Sequence, residues 1–228
     1  MSRRPRVFAP GLLYHVIVRG NQRRKTFRSD DDYKAYLDRL EKYRAKCHVR
    51  IYAYCLMPNH VHLLVETGST PLAKFMQGLQ QSYTQHFNRS YRKVGHLFQG
   101  RYKAIICDRD KYLLALVRYI HLNPVRAKLA TRPERYTYSG HNSYMTNGTG
   151  KIVEVTPILK LLGGKKAYER FVLEGMEENH NDEYYTVKEI ARRVETPPEL
   201  LRGKDRRWDI SRKRAEAVAF WYGTMATR

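Results

Sequence analysis

The stretch that decides the fold reads Arg50-Ile-Tyr-Ala-Tyr-Cys-Leu-Met57, then Pro58-Asn59, then His60-Val-His-Leu-Leu-Val-Glu66. The two long runs have the composition of strands and Pro58-Asn59 is typical of a turn, so the stretch predicts a β-hairpin. In the second strand, alternation puts His60 and His62 on one face, with Cα atoms about 6.6 Å apart. The apolar residues between and after them form the opposite face and anchor the strand in the core.

Two imidazoles on one face of a strand can converge on a single metal ion. The spacing of His60 and His62 is what a metal-bearing strand requires. Taken alone, the pair leaves two interpretations open, a metal site and two surface histidines with satisfied hydrogen bonds.

The segments around the hairpin predict three helices and two further strands. Ser29-Asp-Asp-Asp32 is a helix start with acidic first-turn residues, and a helix with an apolar stripe follows Thr70-Pro71. The other predicted elements are strands at 12–18 and 102–107 and a helix at 109–122. The order strand, helix, two strands, helix, strand, helix predicts an α+β fold with helices packed on an antiparallel-rich sheet.

The helix that starts after Asp108 carries a second candidate group. Tyr119 and Asn123 are spaced i,i+4 and so share a helix face, and Asn123 precedes Pro124, which predicts that the helix ends there. The chain has 18 tyrosines, so a packing role for Tyr119 stays open. His121, two residues on, faces elsewhere and is interpreted as structural.

Charge narrows the class of partner. The formal net charge is +21, and residues 1–144 hold 27 Lys and Arg against 9 Asp and Glu. A polyanion is the natural partner, because each neutralised phosphate releases counterions. Acidic lipid is the rival, but no basic amphipathic anchor is visible, and neither a membrane span nor a secretory signal is expected.

The three cysteines, Cys47, Cys55 and Cys107, lack metal-site spacing and fit a reducing cytoplasm.

Together these groups suit phosphoryl transfer. Two neutral imidazoles and one amide oxygen would hold a divalent cation and leave positions for a scissile phosphate. A tyrosine hydroxyl could then attack in line and form a phosphotyrosine ester. Because that ester keeps the bond energy, strand transfer is favoured over simple hydrolysis.

The motif from Leu56 to Leu64 and the helix Val117-Arg-Tyr119-Ile-His-Leu-Asn123-Pro-Val-Arg-Ala127, with Phe98-Gln-Gly-Arg101-Tyr-Lys103 between them, resemble the single-tyrosine HUH transposases. Among these, the REP-associated tyrosine transposases are the most similar branch. The resemblance covers about residues 8–145. It implies a ferredoxin-like fold, Mg²⁺ or Mn²⁺ held by His60, His62 and Asn123, and Tyr119 as the nucleophile.

The resemblance also implies the partner. The expected substrate is single-stranded DNA beside a REP-type palindromic hairpin, cut with a 5′-phosphotyrosine link, in the bacterial cytoplasm near the nucleoid and away from membranes. The oligomeric state is left open, with a monomer favoured. The basic residues expected to contact DNA are Arg3, Arg4, Arg6, Arg19, Arg23, Arg24, Lys25, Arg101 and Lys103.

The chain is expected to divide into a nuclease domain at 1–150 and an all-α segment at 151–228. Residues 131–150, rich in Tyr, Ser, Asn and Gly, predict a linker-like surface segment. The all-α segment, with helices at 186–194 and 211–222 among others, resembles an incomplete DNA-binding domain of the DnaA replication initiator. A helical packing appendage is the alternative.

Two other functions are weighed against the nuclease. A non-catalytic regulator that recognises hairpin DNA would keep the fold and the charge without turnover. A zinc hydrolase would need a further His or carboxylate cluster at ligand spacing, which the sequence lacks.

Overall fold

The four strands predicted from the sequence are present and pair into one sheet. The computed structural model describes residues 9–146 and 151–177. The sheet consists of β1 (Leu13–Arg19), β2 (Arg50–Met57), β3 (His60–Glu66) and β4 (Lys103–Cys107), in the spatial order β2-β3-β1-β4. Every neighbouring pair is antiparallel. The hairpin bounds are those predicted, and the α+β fold class is confirmed.

The register of β1 decides which side chains share the face of the two histidines. Ile17 lies opposite His62 and Arg19 opposite His60. Lys103 of β4 lies opposite Ile17. Because directly opposed residues project from the same face, Arg19 and Lys103 stand on the histidine face of the sheet. Alternation places fully buried apolar residues on the other face, namely Val61, Leu63 and Val65.

Two long helices cover that apolar face. Helix α1 (Asp30–Cys47) links β1 to β2, and α2 (Leu72–Ser90) links β3 to β4. Each connection joins parallel strands, and crossovers of the same hand place both helices on one side of the sheet. The helices pack closely, since a Cβ on Gly78 would overlap the ring of Tyr43. This βαββαβ arrangement is the expected ferredoxin-like fold.

The third long helix, α3 (Arg109–Arg126), packs on the histidine face and continues through a proline. The prediction that it ends near residue 122 is wrong. Pro124 lacks an N–H and so costs one helical hydrogen bond, but it is buried within the unit. The following N–H groups of Ala127 and Leu129 still reach the carbonyls of Asn123 and Pro124, at 2.9 and 2.8 Å.

The segment after α3 covers the free edge of β2. The hydroxyls of Tyr136 and Tyr144 donate to the carbonyls of Leu56 and Tyr52, each at 2.7 Å. Tyr144, in α4 (His141–Met145), is fully buried. The prediction of a linker-like surface segment is therefore wrong for the described residues 131–146, because their polar side chains satisfy a strand edge rather than water.

Residues 151–177 add α5 (Thr156–Leu162) and α6 (Lys165–Glu177). Helix α6 packs on α3, where the Arg118 guanidinium lies 4.7 Å from the ring centroid of Phe171. All described residues belong to one compact unit, so the start of the expected second domain packs with the sheet. The helices predicted at 186–194 and 211–222, and the rest of the DnaA-like segment, lie outside the described residues. None of the described helices has the length and apolar content of a membrane span.

Candidate active site

The two histidines of β3 form the centre of the candidate site. Their ring centroids are 5.0 Å apart, with planes at 79°. His62 is 1% exposed, whereas His60, at the start of the strand, is half-buried. The strand therefore presents one dry imidazole and one partly accessible imidazole on the same face.

Each of these histidines has one ring nitrogen held by a neighbouring side chain. His60 Nδ1 lies 2.6 Å from Asn59 Oδ1. His62 Nδ1 lies 3.0 Å from Nε2 of His15, which projects from β1 on the same face. Both Nδ1 atoms are thus engaged, and the Nε2 atoms are the nitrogens that could bind an ion.

Burial keeps both imidazoles neutral. Burial, with a smaller contribution from Arg19, lowers the pKa of His60 to about 4. Burial also holds the pKa of His62 well below its usual value, and the neighbouring His15, His60 and Arg19 act in the same direction. At pH 7 the pair therefore offers lone pairs, the form that a metal requires.

Helix α3 brings Tyr119 to this pair. The ring centroid of Tyr119 lies 6.0 Å from that of His62 and 5.9 Å from that of His15, both edge to face. The Arg126 guanidinium carbon lies 5.2 Å from the centroid of the same tyrosine ring. Tyr119 is half-buried. Its spacing in the sequence leaves open whether it packs in the core or has a chemical role, and the structure places it beside His62 and His15.

Asn123 lies one helical turn beyond Tyr119. Its Nδ2 donates to the Tyr119 carbonyl at 2.9 Å, which orients the carboxamide and leaves Oδ1 as an acceptor. Two imidazole nitrogens and an amide oxygen are suitable donors for a divalent cation such as Mn²⁺ or Mg²⁺. Among the described residues, no group of three or more His, Cys, Asp and Glu has metal-binding geometry.

The expected DNA contacts fall into three sets. Arg19 and Lys103 are exposed on the histidine face. Arg23, Arg24 and Lys25 lie in an exposed loop that touches the hairpin turn, because Asn59 Nδ2 donates to the Arg23 carbonyl at 3.3 Å. Arg101 is exposed just before β4. Arg3, Arg4 and Arg6 lie outside the described residues.

His121 faces away from this site. It is fully buried, and its Nδ1 lies 2.8 Å from the hydroxyl of Tyr168 on α6. The same hydroxyl lies 2.8 Å from Nδ1 of His141 on α4. His121 therefore takes part in the packing of three helices, as its position two residues after Tyr119 predicts.

Sequence reasoning did not find His15. It is 2% exposed and contacts both His62 and Tyr119. A lone histidine in a strand carries no ligand spacing, and its partner is 47 residues away. The available signal was its alternation with Ile17 and Arg19, which becomes informative only when β1 is known to pair with β3.

Comparison with known proteins agrees with this architecture. The family described as "Transposase IS200 like" matches residues 9–123, about half of the chain. The match begins before β1 and ends at Asn123, so it contains the sheet, both histidines and Tyr119. No curated protein matches the chain in sequence.

Three solved structures are similar. A REP-associated tyrosine transposase bound to a REP hairpin is 18% identical, has a TM-score of 0.55, and aligns over 66% of this chain and 88% of its own. A predicted transposase from Deinococcus radiodurans R1 is 18% identical, with a TM-score of 0.38 and coverage of 52% and 94%. The tRNA(His) guanylyltransferase of Saccharomyces cerevisiae is 9% identical, with a TM-score of 0.41 and coverage of 79% and 84%.

The first of these shares the fold, and the family match spans the elements that build the candidate site. The chain thus belongs to the IS200-like transposase family, and its function lies in DNA transposition.

Proposed function

We propose that the chain is a metal-dependent single-stranded DNA endonuclease and strand transferase that acts at REP-type palindromic hairpins through a 5′-phosphotyrosine intermediate. The observation that carries the proposal is the approach of Tyr119 on α3 to His62 on β3, with ring centroids 6.0 Å apart. Tyr119, whose hydroxyl could act as a nucleophile, lies there beside the neutral imidazole of His62, and His60 shares the same face of the sheet.

Tyr119 would act as the nucleophile. Its Oη forms a bond to phosphorus as the bond to O3′ breaks, and the phenolic proton is balanced by the one that the free 3′-hydroxyl gains. His60, His62 and Asn123 Oδ1 would hold Mg²⁺ or Mn²⁺. When bound, such an ion polarises the phosphate and neutralises its developing charge. The reverse reaction, attack of a 3′-hydroxyl on the phosphotyrosine, joins strands.

Basic side chains support a DNA substrate. Arg19 and Lys103 place positive charge on the histidine face, and the loop with Arg24 and Lys25 adjoins the hairpin turn before His60. Because phosphate contacts fix position without reading bases, these residues would orient the backbone over the site. The structural neighbour bound to a REP hairpin motivates the choice of a palindromic substrate.

The test is a strand carrying a palindromic hairpin and a single-stranded flank, labelled in separate reactions at its 3′ and 5′ ends. With Mn²⁺, the 3′ label should move into a protein adduct on a denaturing gel, while the 5′ label should appear in a shorter free strand. EDTA should abolish both products, and a plain duplex of the same sequence should give little adduct. A protein that binds the hairpin without cleavage or adduct would be the non-catalytic regulator instead.

A further inference from the structure

The partners of the two β3 histidines determine which ring nitrogen carries the proton. A metal ligand needs a lone pair on the nitrogen that faces the ion, and the other nitrogen then carries the hydrogen. Since both Nδ1 atoms are engaged by side chains, both histidines need a proton on Nδ1 to bind an ion through Nε2.

For His60 the structure already dictates this form. Asn59 Nδ2 donates to the Arg23 carbonyl at 3.3 Å, so the amide oxygen of Asn59 is the atom that faces His60. That oxygen lies 2.6 Å from His60 Nδ1 and can only accept. His60 Nδ1 therefore donates, and its Nε2 keeps a lone pair.

For His62 the partner is another imidazole, which can donate or accept. His15 Nε2 lies 3.0 Å from His62 Nδ1, and the two rings stack with centroids 5.3 Å apart and planes at 24°. If His15 Nε2 donated, the proton of neutral His62 would sit on Nε2 and block an ion. If His15 Nε2 accepts, His62 has the same form as His60.

We propose that His15 is a positioning residue for this site: its Nε2 accepts the Nδ1 proton of His62 and thereby fixes His62 with its Nε2 lone pair available for the metal. The inference rests on the proposed metal-dependent function. His15 also lies edge to face with Tyr119 at 5.9 Å, so one buried ring contacts both the metal ligand and the nucleophile.

The burial of this pair makes the hydrogen bond consequential. His15 and His62 are 2% and 1% exposed. Water cannot readily replace a lost partner at such a position, so an unpaired Nδ1–H would be costly. Partners of this kind typically contribute about 10- to 100-fold to metal affinity.

The experiment compares the unmodified protein with three variants. His15→Phe keeps a ring and removes the acceptor, while His15→Gln restores an acceptor near the position of Nε2. Val16→Ala, a fully buried change on the opposite face of β1, serves as the control for lost stability. Mn²⁺ affinity is measured by calorimetry, the thermal midpoint by circular dichroism, and the ring protonation of His62 by ¹⁵N NMR of histidine-labelled, metal-free protein.

We expect His62 to carry its proton on Nδ1 in the unmodified protein. His15→Phe should lower Mn²⁺ affinity about 10- to 100-fold. His15→Gln should recover most of that loss, and Val16→Ala should lower the thermal midpoint without changing the affinity. A His62 proton on Nε2, or a His15→Phe variant that binds Mn²⁺ as tightly as the unmodified protein, would overturn the proposed role of His15. Neither result would contradict the metal-dependent mechanism. An unmodified protein that binds no Mn²⁺ would overturn the metal-dependent mechanism and this inference with it. If His15→Phe does not fold, the proposal is tested by the position of the His62 proton in the NMR spectra and by the Mn²⁺ affinity of His15→Gln.

Discussion

Helix α3 carries residues of two histidine clusters, which differ in their surroundings. On one side, His15, His60 and His62 stand on the sheet beside Tyr119. On the other side, His121 and His141 are joined through the hydroxyl of Tyr168. Both clusters combine histidines with a tyrosine, and Tyr119 and His121 are only two residues apart in the chain.

The clusters differ in where their tyrosines and charges stand. The Tyr168 side chain is fully buried and its hydroxyl bonds to two imidazole nitrogens, so it is not accessible to a substrate. Tyr119 is half-buried on a face that also carries Arg19 and Lys103, whereas the charged group that acts on His141 is the carboxylate of Glu134. A histidine–tyrosine cluster is therefore informative about function only when its accessibility and the sign of the surrounding charge are known.

The largest expected effect separates the two tyrosines. Tyr119→Phe should reduce the DNA adduct by about a thousandfold or more, because it deletes the attacking oxygen, while hairpin binding persists. Tyr168→Phe should leave the adduct and cost about 1–3 kcal/mol of unfolding free energy, because two buried imidazole nitrogens lose their partner. The measurements are adduct yield on denaturing gels and urea unfolding. Equal adduct from Tyr119→Phe and the unmodified protein would mean that another group attacks.

The next largest expected effect is on the Mn²⁺ dependence of cleavage, which should differ between substitutions in the two histidine clusters. His60→Ala and His62→Ala should each remove most metal-dependent cleavage, and Asn123→Ala should remove less, because water can replace an amide oxygen. His141→Ala, in the other cluster, should lower stability without changing the Mn²⁺ concentration that gives half-maximal cleavage. The readout is a titration of cleavage rate against Mn²⁺. Cleavage that is undiminished in EDTA would remove the metal from the mechanism.

Acid should weaken both clusters in the same direction. Burial lowers the pKa of His141 to about 4, opposed by Glu134, and burial with Lys103 lowers that of His15 to about 4. An unfolded histidine titrates near about 6.5, so between these values the unfolded chain binds more protons than the folded one. Stability is therefore lost as the pH falls from about 6.5 towards 4, by up to about 1.4 kcal/mol per pH unit for each such group.

Urea unfolding at several pH values tests this dependence. His141→Gln should flatten it, whereas Val172→Ala, fully buried in α6, should lower stability by the same amount at each pH. A His141→Gln slope equal to that of the unmodified protein would place the acid sensitivity elsewhere.

The smallest effect concerns the basic loop. Replacing Arg24 and Lys25 together with Ala should weaken binding to all hairpins alike and reduce the salt slope by about 0.7–0.9 per lost phosphate contact. The matched control replaces Lys42 and Lys46, which are exposed on α1, and should leave the slope unchanged. Arg23 is left in place, because its φ of 57° would confound a substitution with a change of backbone. Equal slopes for both double variants would show that the loop does not touch phosphates.

Much of the fold is predictable here because the patterns are local. Alternation in residues 50–66 gives both hairpin strands with their observed bounds, and the same alternation places His60 and His62 on one face. The apolar stripe of α2 is likewise found as predicted. Each of these depends on the period of a single element, which the sequence contains in full.

The rest depends on long-range packing. Pro124 predicts a helix end, but burial of its ring and the hydrogen bonds that follow it offset the lost bond. Tyr136 and Tyr144 read as surface residues, although their hydroxyls bond to the edge of β2. The pairing of β1 with β3, which brings His15 to His62, has no signature in either strand alone.

The loop that carries Arg23, Arg24 and Lys25 packs closely against its neighbours, and this restricts which sequence changes the loop can accept. A Cβ on Gly20 would overlap the Arg24 carbonyl and press on Thr26, and Gly20 N donates to the Asn59 carbonyl at 2.8 Å. The position of the loop relative to His60 is thus set by backbone contacts rather than by its long side chains. Substitutions at Arg24 or Lys25 change the amount of charge and leave its location fixed, whereas an inserted residue moves the whole set. The amount of charge on the loop and the position of that charge are therefore separate variables for redesign. Substitution changes the amount, and a change of loop length changes the position.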